Sequence, residues 1–319
     1  MVNKGDDSLL GDVRIALLCG GVGGAKLADG LARLLPPENL SIIVNTGDDF
    51  QHLGLTICPD LDTVLYTLAG VANPETGWGR AGETWRAMES VAALGGPDWF
   101  RLGDSDLGLH LLRTALLQEG VPLTTVIGRL AERLGIGPAV LPMSDRPVPT
   151  MIATAAGVLP FQTWFVRERW QPVVTAVLLP DDARATPAAV RAVTRADLVI
   201  IAPSNPFVSI DPILNTFPLR ETIADVPGAV VAVSPIVGGT AVKGPLAKML
   251  IDRHEPVSPL TVANYYADLL DGFVYDERDE GAFRGRDTGP LLCLDTWMKS
   301  ADQRRDLAAA VVEFGLGLL

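Results

Sequence analysis

Residues 14–45 decide what kind of fold this chain can adopt. Arg14–Cys19 (RIALLC) is a short apolar run that reads as a buried strand. Gly20, Gly21, Gly23 and Gly24 follow at once. Leu27, Leu31, Leu34 and Leu35 then recur at i, i+4, i+7 and i+8, one face of a helix, and Pro36-Pro37 stops it. Leu40–Val44 (LSIIV) is a second apolar run, ending at Asn45. A strand–helix–strand unit of this kind joins parallel strands by a right-handed crossover. The later chain repeats the pattern. Val173–Leu179, Leu198–Ala202 (LVIIA) and Ala229–Val233 (AVVAV) read as strands, and Thr186-Pro187 opens a helix. Continuous apolar strands between helices predict an α/β fold with a parallel sheet covered on both faces.

The middle of the chain differs. Leu61, Val64, Leu65 and Leu68 share a helical face, Asp104-Ser105 opens a helix ended by Gly120, and Thr124–Leu134 is another, ended by Gly135. Thr150–Val166 reads as two strands around a turn. The expected organisation is a core of residues 1–61 and 171–319, with 62–170 as a mainly helical insertion carrying a β-hairpin.

Composition narrows the partners. The 319 residues carry a net charge of −12. That argues against nucleic acid, whose phosphates select basic faces. Any bound phosphate must be held locally, by backbone N–H groups, a few cations or a metal ion. The three cysteines, Cys19, Cys58 and Cys293, form no CxxC pair and suggest no disulfide framework. Cys19 and Cys58 sit among apolar residues and read as small hydrophobes. MVNKGDDSLLGDVR lacks a signal-peptide core, and no apolar run reaches the ~18 residues of a membrane span. The expectation is a cytoplasmic protein that engages no membrane.

A glycine-rich turn between strand and helix is a place for phosphate, because bare backbone can approach a ligand and the helix start offers unpaired N–H groups. A tight turn with no ligand needs only one or two glycines. Two known versions fail. Walker A requires GxxxxGK[ST], but Ala25 stands at the second Gly and Leu27 follows Lys26. The dinucleotide fingerprint GxGxxG fits at Gly21 and Gly23 but meets Lys26 third, and the second strand ends in Asn45 rather than an acid. An NAD-dependent dehydrogenase is therefore a poor fit. Lys26 either faces a phosphate or is a solvated helix lysine.

Asn45–Asp62 (NTGDDFQHLGLTICPDLD) leaves the C-terminal end of the second strand, where open α/β sheets place ligands. Asp48, Asp49, Asp60 and Asp62 are hard oxygen ligands suited to Mg²⁺ beside phosphates. Turn chemistry after Gly47 and an N-cap before the next helix are the structural alternatives. His52 is a candidate general base or ligand contact, or a hydrogen-bonded loop histidine. His110 lies on an apolar helix and reads as a core residue; zinc is disfavoured by so few Cys and His. Two later loops, Ala202–Pro212 (APSNPFVSIDP) and Ser234–Pro245 (SPIVGGTAVKGP), offer Ser204, Asn205, Ser209, Ser234, Gly238, Gly239 and Lys243 at the same sheet edge. Gln162, Trp164 and Arg167 sit in the insertion, with Trp164 either core or a stacking surface.

GGVGGAK, NTGDDFQHLGLTICPDLDTVLYTLAG, NPETGWGRAGETW, WFRLGDSDLGLHLLRT, LPMSD, FQTWFVRER, APSNPFVSIDPIL and SPIVGG, in this order from about residue 14 to residue 250, resemble the 2-phospho-L-lactate transferases of coenzyme F-420 biosynthesis. The resemblance implies a Rossmann-like three-layer α/β/α core with a six-stranded, mainly parallel sheet. It implies transfer of a phospholactyl or phosphoenolpyruvyl group from a guanosine diphosphate ester to the terminal ribityl hydroxyl of the deazaflavin Fo. GMP leaves and Mg²⁺ takes part. A homodimer is also implied.

The resemblance gives the residues roles. Gly20, Gly21, Gly23, Gly24 and Lys26, with Asn45, Thr46 and Gly47, would hold the donor. Asp48 and Asp49 would hold Mg²⁺ or take the hydroxyl proton, with Asp60 and Asp62 nearby and His52 in the same segment. Ser204, Asn205, Ser209, Ser234 and Gly238 would contact the nucleotide. Trp78, Arg80, Trp85, Gln162, Trp164 and Arg167 would help form the Fo pocket. Related proteins with the same glycine turn and an NTGDD-like loop act as regulators, for which the nucleotide is a bound signal. HLGLTICPDLDT and the tryptophan-rich insertion are the transferase-like features.

Overall fold

In the structure, a computed structural model, residues 11–286 and 288–319 are described. The first ten residues of the stretch read for a leader lie outside them. In chain order the strands are β1 (Ile15–Cys19), β2 (Leu40–Val44), a hairpin of β3 (Phe50–His52) and β4 (Leu55–Ile57), β5 (Ala139–Pro142), β6 (Met151–Thr154), β7 (Gly157–Pro160), β8 (Val174–Leu178), β9 (Leu198–Ile201), β10 (Ala229–Val233), a hairpin of β11 (Ile236–Val237) and β12 (Thr240–Ala241), β13 (Gly272–Asp276) and β14 (Leu291–Leu294). The helices are α1 (Gly21–Ala32), α2 (Pro59–Leu68), α3 (Arg86–Ala93), α4 (Asp104–Gln118), α5 (Leu123–Arg133), α6 (Pro187–Thr194), α7 (Asp211–Leu214), α8 (Leu219–Ala224), α9 (Leu246–Asp252), α10 (Pro259–Tyr265) and α11 (Ala301–Leu316).

The main sheet runs β14-β13-β10-β9-β1-β2-β5, parallel throughout. Successive side chains on a strand point to opposite faces, so one apolar run feeds two cores. Ile15, Leu17 and Cys19 pack with α1, α2, α5 and α11 on one face. Ala16 and Leu18 pack with α6, α8, α9 and α10 on the other. This is the expected three-layer α/β/α arrangement.

Three particulars differ from the sequence reading. The sheet has seven strands, not six. Val173–Leu179 does not enter it: β8 pairs antiparallel with β6 in a separate sheet ordered β7-β6-β8. An apolar run reports burial but not which neighbour accepts its hydrogen bonds. Leu34 and Leu35 lie beyond α1, which ends at Ala32. Within residues 62–170, β5 pairs with β2 and α5 joins the first helical layer. That segment therefore threads through the core as well as along its edge.

No helix among the described residues is long and apolar enough to cross a membrane. Cys19 and Cys58 are free and buried, as expected of small hydrophobes, and Cys293 is exposed.

Candidate active site

The chain leaves β1 toward β2 and β5 on one side, and returns through β9 and β10 on the other. The crevice between the ends of β1 and β9 is thus a topological switch point, where α/β sheets bind ligands. The glycine turn after β1 and the Ala202–Ser209 loop after β9 form its walls. The turn's bare backbone lets these walls close on each other. A Cβ on Gly23 would lie 2.3 Å from the Pro203 carbonyl oxygen, and one on Gly24 2.7 Å from Cys19 Cβ. Gly21 needs glycine for another reason, its φ of +63°. Ser204 ties the walls together: its Oγ accepts from Gly20 N–H at 3.2 Å and donates to Gly20 O at 2.8 Å.

The first-turn N–H groups of a helix have no intrahelical partner. Here Gly21 N–H donates to Asp60 Oδ1 at 2.7 Å. Among the described residues no side chain accepts from Val22 or Gly23, so their N–H groups remain for an anion.

Asn45 is the pivot of the site. It is fully buried at the end of β2. Its amide nitrogen donates to Asp48 Oδ1 at 3.1 Å, Asp60 Oδ2 at 2.9 Å and Val208 O at 3.1 Å. Its oxygen accepts from Gly47 N–H at 2.7 Å. One side chain thereby shapes the Gly47-Asp48 turn and joins it to the start of α2. Gly47 itself is pinned, since a Cβ there would lie 2.4 Å from Thr150 Oγ1. Gln162 Nε2 reaches Asp48 Oδ2 at 3.5 Å from the far side.

Burial holds the Asp48 carboxyl well above the usual range, and the neighbouring Asp60 charge adds to this, against the Asn45 hydrogen bond. Burial likewise raises Asp60 to about 6, opposed by the hydrogen bonds from Asn45 and Gly21. Two carboxylates sharing one amide donor resist joint ionisation, and a divalent cation would relieve them. Among the described residues no three His, Cys, Asp or Glu side chains form a metal-holding group. Mg²⁺ needs only one or two carboxylates beside substrate phosphates, so Asp48 and Asp60 fit its donor chemistry.

Asp62 does not belong to that pair. Its carboxylate takes a two-pronged ion pair from Arg113 on α4, Nη1 to Oδ1 at 2.5 Å and Nη2 to Oδ2 at 3.0 Å. Arg113 also donates to Thr56 O, at 3.1 and 2.9 Å, and its Nη2 lies 2.8 Å from His110 Nδ1. Burial works against the Arg113 charge, but Asp62 more than restores it. Burial also lowers the His110 pKa to about 4, so it is the neutral core residue expected. Sequence reasoning passed over Arg113, although an arginine four residues after Leu109 on an apolar helix face needs a buried partner. Asp49 is half-buried nearby, with one buried oxygen that lacks a partner among the described residues. Burial raises its carboxyl, with Cys58 and Arg113 opposing.

The other expected site residues are placed as follows. His52 sits in an aromatic box, 5.3 Å from the Trp99 ring and 5.7 Å from that of Phe100, and among the described residues it makes no hydrogen bond to an aspartate. Burial lowers its pKa. Lys26 Nζ donates to Met298 O at 2.8 Å instead of facing the turn. Trp164 is 0% exposed and its indole N–H donates to Pro172 O at 2.9 Å, which makes it core rather than a stacking platform. Arg167 is exposed beside Glu168. Asn205 caps its own loop at Phe207 N–H, and Ser234 Oγ accepts from Ile236 N–H. Gly238 N–H donates to Asp279, so that turn is filled from within. Thr46 is buried with an unpartnered hydroxyl, and Ser209 packs against Gly20. Arg80 lies over the Tyr66 ring and Trp85 is covered by Arg101, while Trp78 is 54% exposed.

A crystal structure of a UPF0052-family protein from Bacillus halodurans superposes with a TM-score of 0.60 at 16% identity, covering 94% of this chain and 98% of that one. That likeness shows the fold alone. A phosphoenolpyruvate transferase of Streptomyces coelicolor is 40% identical over 88% of this chain and 91% of its own length. A 2-phospho-L-lactate transferase of Methanospirillum hungatei is 39% identical over 90% and 95%. Residues 15–285 match the family described as 2-phospho-L-lactate transferase CofD. The chain is a transferase and belongs to the 2-phospho-L-lactate transferase CofD family.

Proposed function

We propose that this transferase moves a phospholactyl or phosphoenolpyruvyl group from a guanosine diphosphate ester to the terminal ribityl hydroxyl of the deazaflavin Fo. The observation that carries the reading is the buried pair Asp48 and Asp60, joined by Asn45 beside free first-turn N–H groups of α1. The N–H groups of Val22 and Gly23 hold donor phosphate oxygens. The ribityl oxygen attacks the phosphorus next to the three-carbon acid. A new P–O bond forms there, and the bond to the GMP phosphate breaks. The hydroxyl proton passes to Asp48, whose burial favours the protonated form. Asn45 and Gln162 hold that carboxylate in place. Asp60 fixes the glycine turn through Gly21 N–H. Mg²⁺, held by Asp48 and Asp60, would neutralise charge building on the phosphates. Such transfer rests mainly on positioning and charge neutralisation, which this inventory supplies. The exposed Trp78 and its neighbours Arg80 and Trp85 are assigned to Fo.

The test is calorimetric titration of Fo, of GDP with Mg²⁺, and of NAD into the pure protein, followed by turnover with both donors. Fo binding and release of GMP support the reading. GDP binding without Fo binding would favour a nucleotide-responsive regulator, and NAD binding alone would mean a different ligand at the glycine turn.

A further inference from the structure

The loop Asn73–Arg80 (NPETGWGR) crosses the first turn of α1. Its shape is set internally. Asn73 Oδ1 accepts from Glu75 N–H at 2.9 Å, and Gly77 N–H donates to Asn73 O at 2.8 Å. Gly77 and Gly79 take φ of +76° and +69°. The tip is close against two other elements. A Cβ on Gly77 would lie 2.8 Å from Val22 Cγ1 and 3.0 Å from Lys243 Nζ. The loop tip, the first turn of α1 and the Lys243 ammonium therefore meet at one point.

Lys243 reaches that point from the opposite side of the switch. It follows the β11–β12 hairpin, whose tip is fastened by Asp279. That carboxylate accepts from Gly238 N–H at 2.8 Å and Gly239 N–H at 2.7 Å. Lys243 Nζ donates to the Thr76 carbonyl. No carboxylate pairs with it among the described residues.

Lys26 lies one turn beyond Val22 on the same helix face. Burial lowers its pKa, and the Arg304 and Lys243 charges lower it further. Two lysines thus stand near this helix start, with Arg304 farther along the helix at Asp29, in a chain of net charge −12. Arg304 has Asp29 at 3.0 Å and Lys26 has a carbonyl. Lys243 has only the neutral carbonyl of an exposed loop. The carbonyl is a neutral acceptor, whereas a phosphate oxygen adds opposite charge at the same distance, so an arriving phosphate outcompetes that carbonyl.

We propose that Lys243 is a donor-phosphate ligand that exchanges the Thr76 carbonyl for a phosphate oxygen, so that donor binding frees the Asn73–Arg80 loop and its Trp78. The proposal rests on the placement of donor phosphates at the glycine turn. It links the nucleotide side of the crevice to the loop assigned to the acceptor.

The experiment titrates GDP and guanosine into the wild type, Lys243→Met and a distant charge control, Arg133→Gln, by calorimetry. Lys243 is exposed, so its loss leaves folding intact, checked by thermal melting. Lys243→Met is expected to weaken GDP about tenfold, equivalent to ~1.4 kcal/mol, with guanosine unchanged and Arg133→Gln like wild type. Trp78 emission, isolated by difference from Trp78→Phe, should change with GDP in the wild type and not in Lys243→Met. Equal GDP affinity in wild type and Lys243→Met overturns the role of Lys243. A GDP-induced Trp78 change that persists in Lys243→Met overturns its coupling to the loop. A wild type that binds no GDP removes the donor-site reading itself, and this inference with it.

Discussion

Replacing Arg113 by Met separates the two readings of Asp62, as a metal ligand or as half of a buried ion pair. The Arg113 side chain is 0% exposed and that of Asp62 only 8%. Removing one partner of such a pair leaves the other charge buried and uncompensated, at a cost of about 3–5 kcal/mol. Thr56 O loses both its guanidinium donors as well, so the upper end is expected. Typical domains are stable by only about 5–15 kcal/mol. Arg113→Met should therefore lower the urea midpoint substantially with an unchanged m-value. Asp62→Asn should cost a similar amount, while Arg113→Met combined with Asp62→Leu should cost far less than the two singles added. The reasoning fails if Arg113→Met costs under about 1 kcal/mol, the range of an exposed pair. It also fails if Asp62→Asn leaves stability intact and abolishes Mg²⁺ binding.

Four further outcomes are expected. Asp48→Asn should keep its melting temperature and lose at least about 100-fold in turnover, the lower end for a general base; near-normal turnover would remove Asp48 from the mechanism. Gly23→Ala should cost about 1–3 kcal/mol in thermal unfolding, because its Cβ meets rigid backbone at Pro203 O. Trp164→Ala should cost about 3–5 kcal/mol, whereas Trp78→Ala should leave stability unchanged and weaken Fo binding; the reverse pattern would exchange their roles. Asp211 lies against Tyr265, and burial raises its carboxyl to about 6, opposed by Tyr265, Arg220 and Arg253. Its folded pKa exceeds the unfolded value of ~3.9, so its stabilising share is full below pH ~4 and lost as pH rises through about 6. Asp211→Asn should flatten that loss by at most ~3 kcal/mol, read from urea midpoints at pH 5 and 7; parallel curves would contradict it.

Burial on both faces made the central strands legible, because it leaves a continuous apolar run. Leu40–Val44 and Ala229–Val233 match the structure residue for residue. β13 was not, since Gly272 and Asp276 at its ends leave an apolar run of three, and Pro142 closes β5 while no helical pattern sets β14 apart. β8 was legible as a strand, but its partner was not. The aspartates stood out by their place after β2. Their sorting did not, because it depends on distant partners: Asn45 reaches Asp60 across 15 positions and Arg113 reaches Asp62 across 51. Trp164 is core because residues 163–167 coil into a π-helical turn, which no periodicity announces.

The glycine turn and the acidic loop, read separately, look like a phosphate cradle and a metal site. The structure makes them one device. Asp60 accepts from Gly21 N–H with one oxygen and from Asn45 with the other. Asn45 in turn holds Asp48, so the turn, α2 and the Gly47-Asp48 loop keep a fixed spacing. The bare glycines first serve this closure, by letting Pro203 and Ser204 press against α1. Among the described residues, two first-turn N–H groups, those of Val22 and Gly23, are left without a side-chain acceptor. Two backbone donors would be a modest hold on the proposed diphosphate in a chain this acidic, so its affinity would need added positive charge. Lys26 and Arg304 are already committed to Met298 and Asp29. The proposed Lys243 contact, together with a cation proposed between Asp48 and Asp60, would supply it.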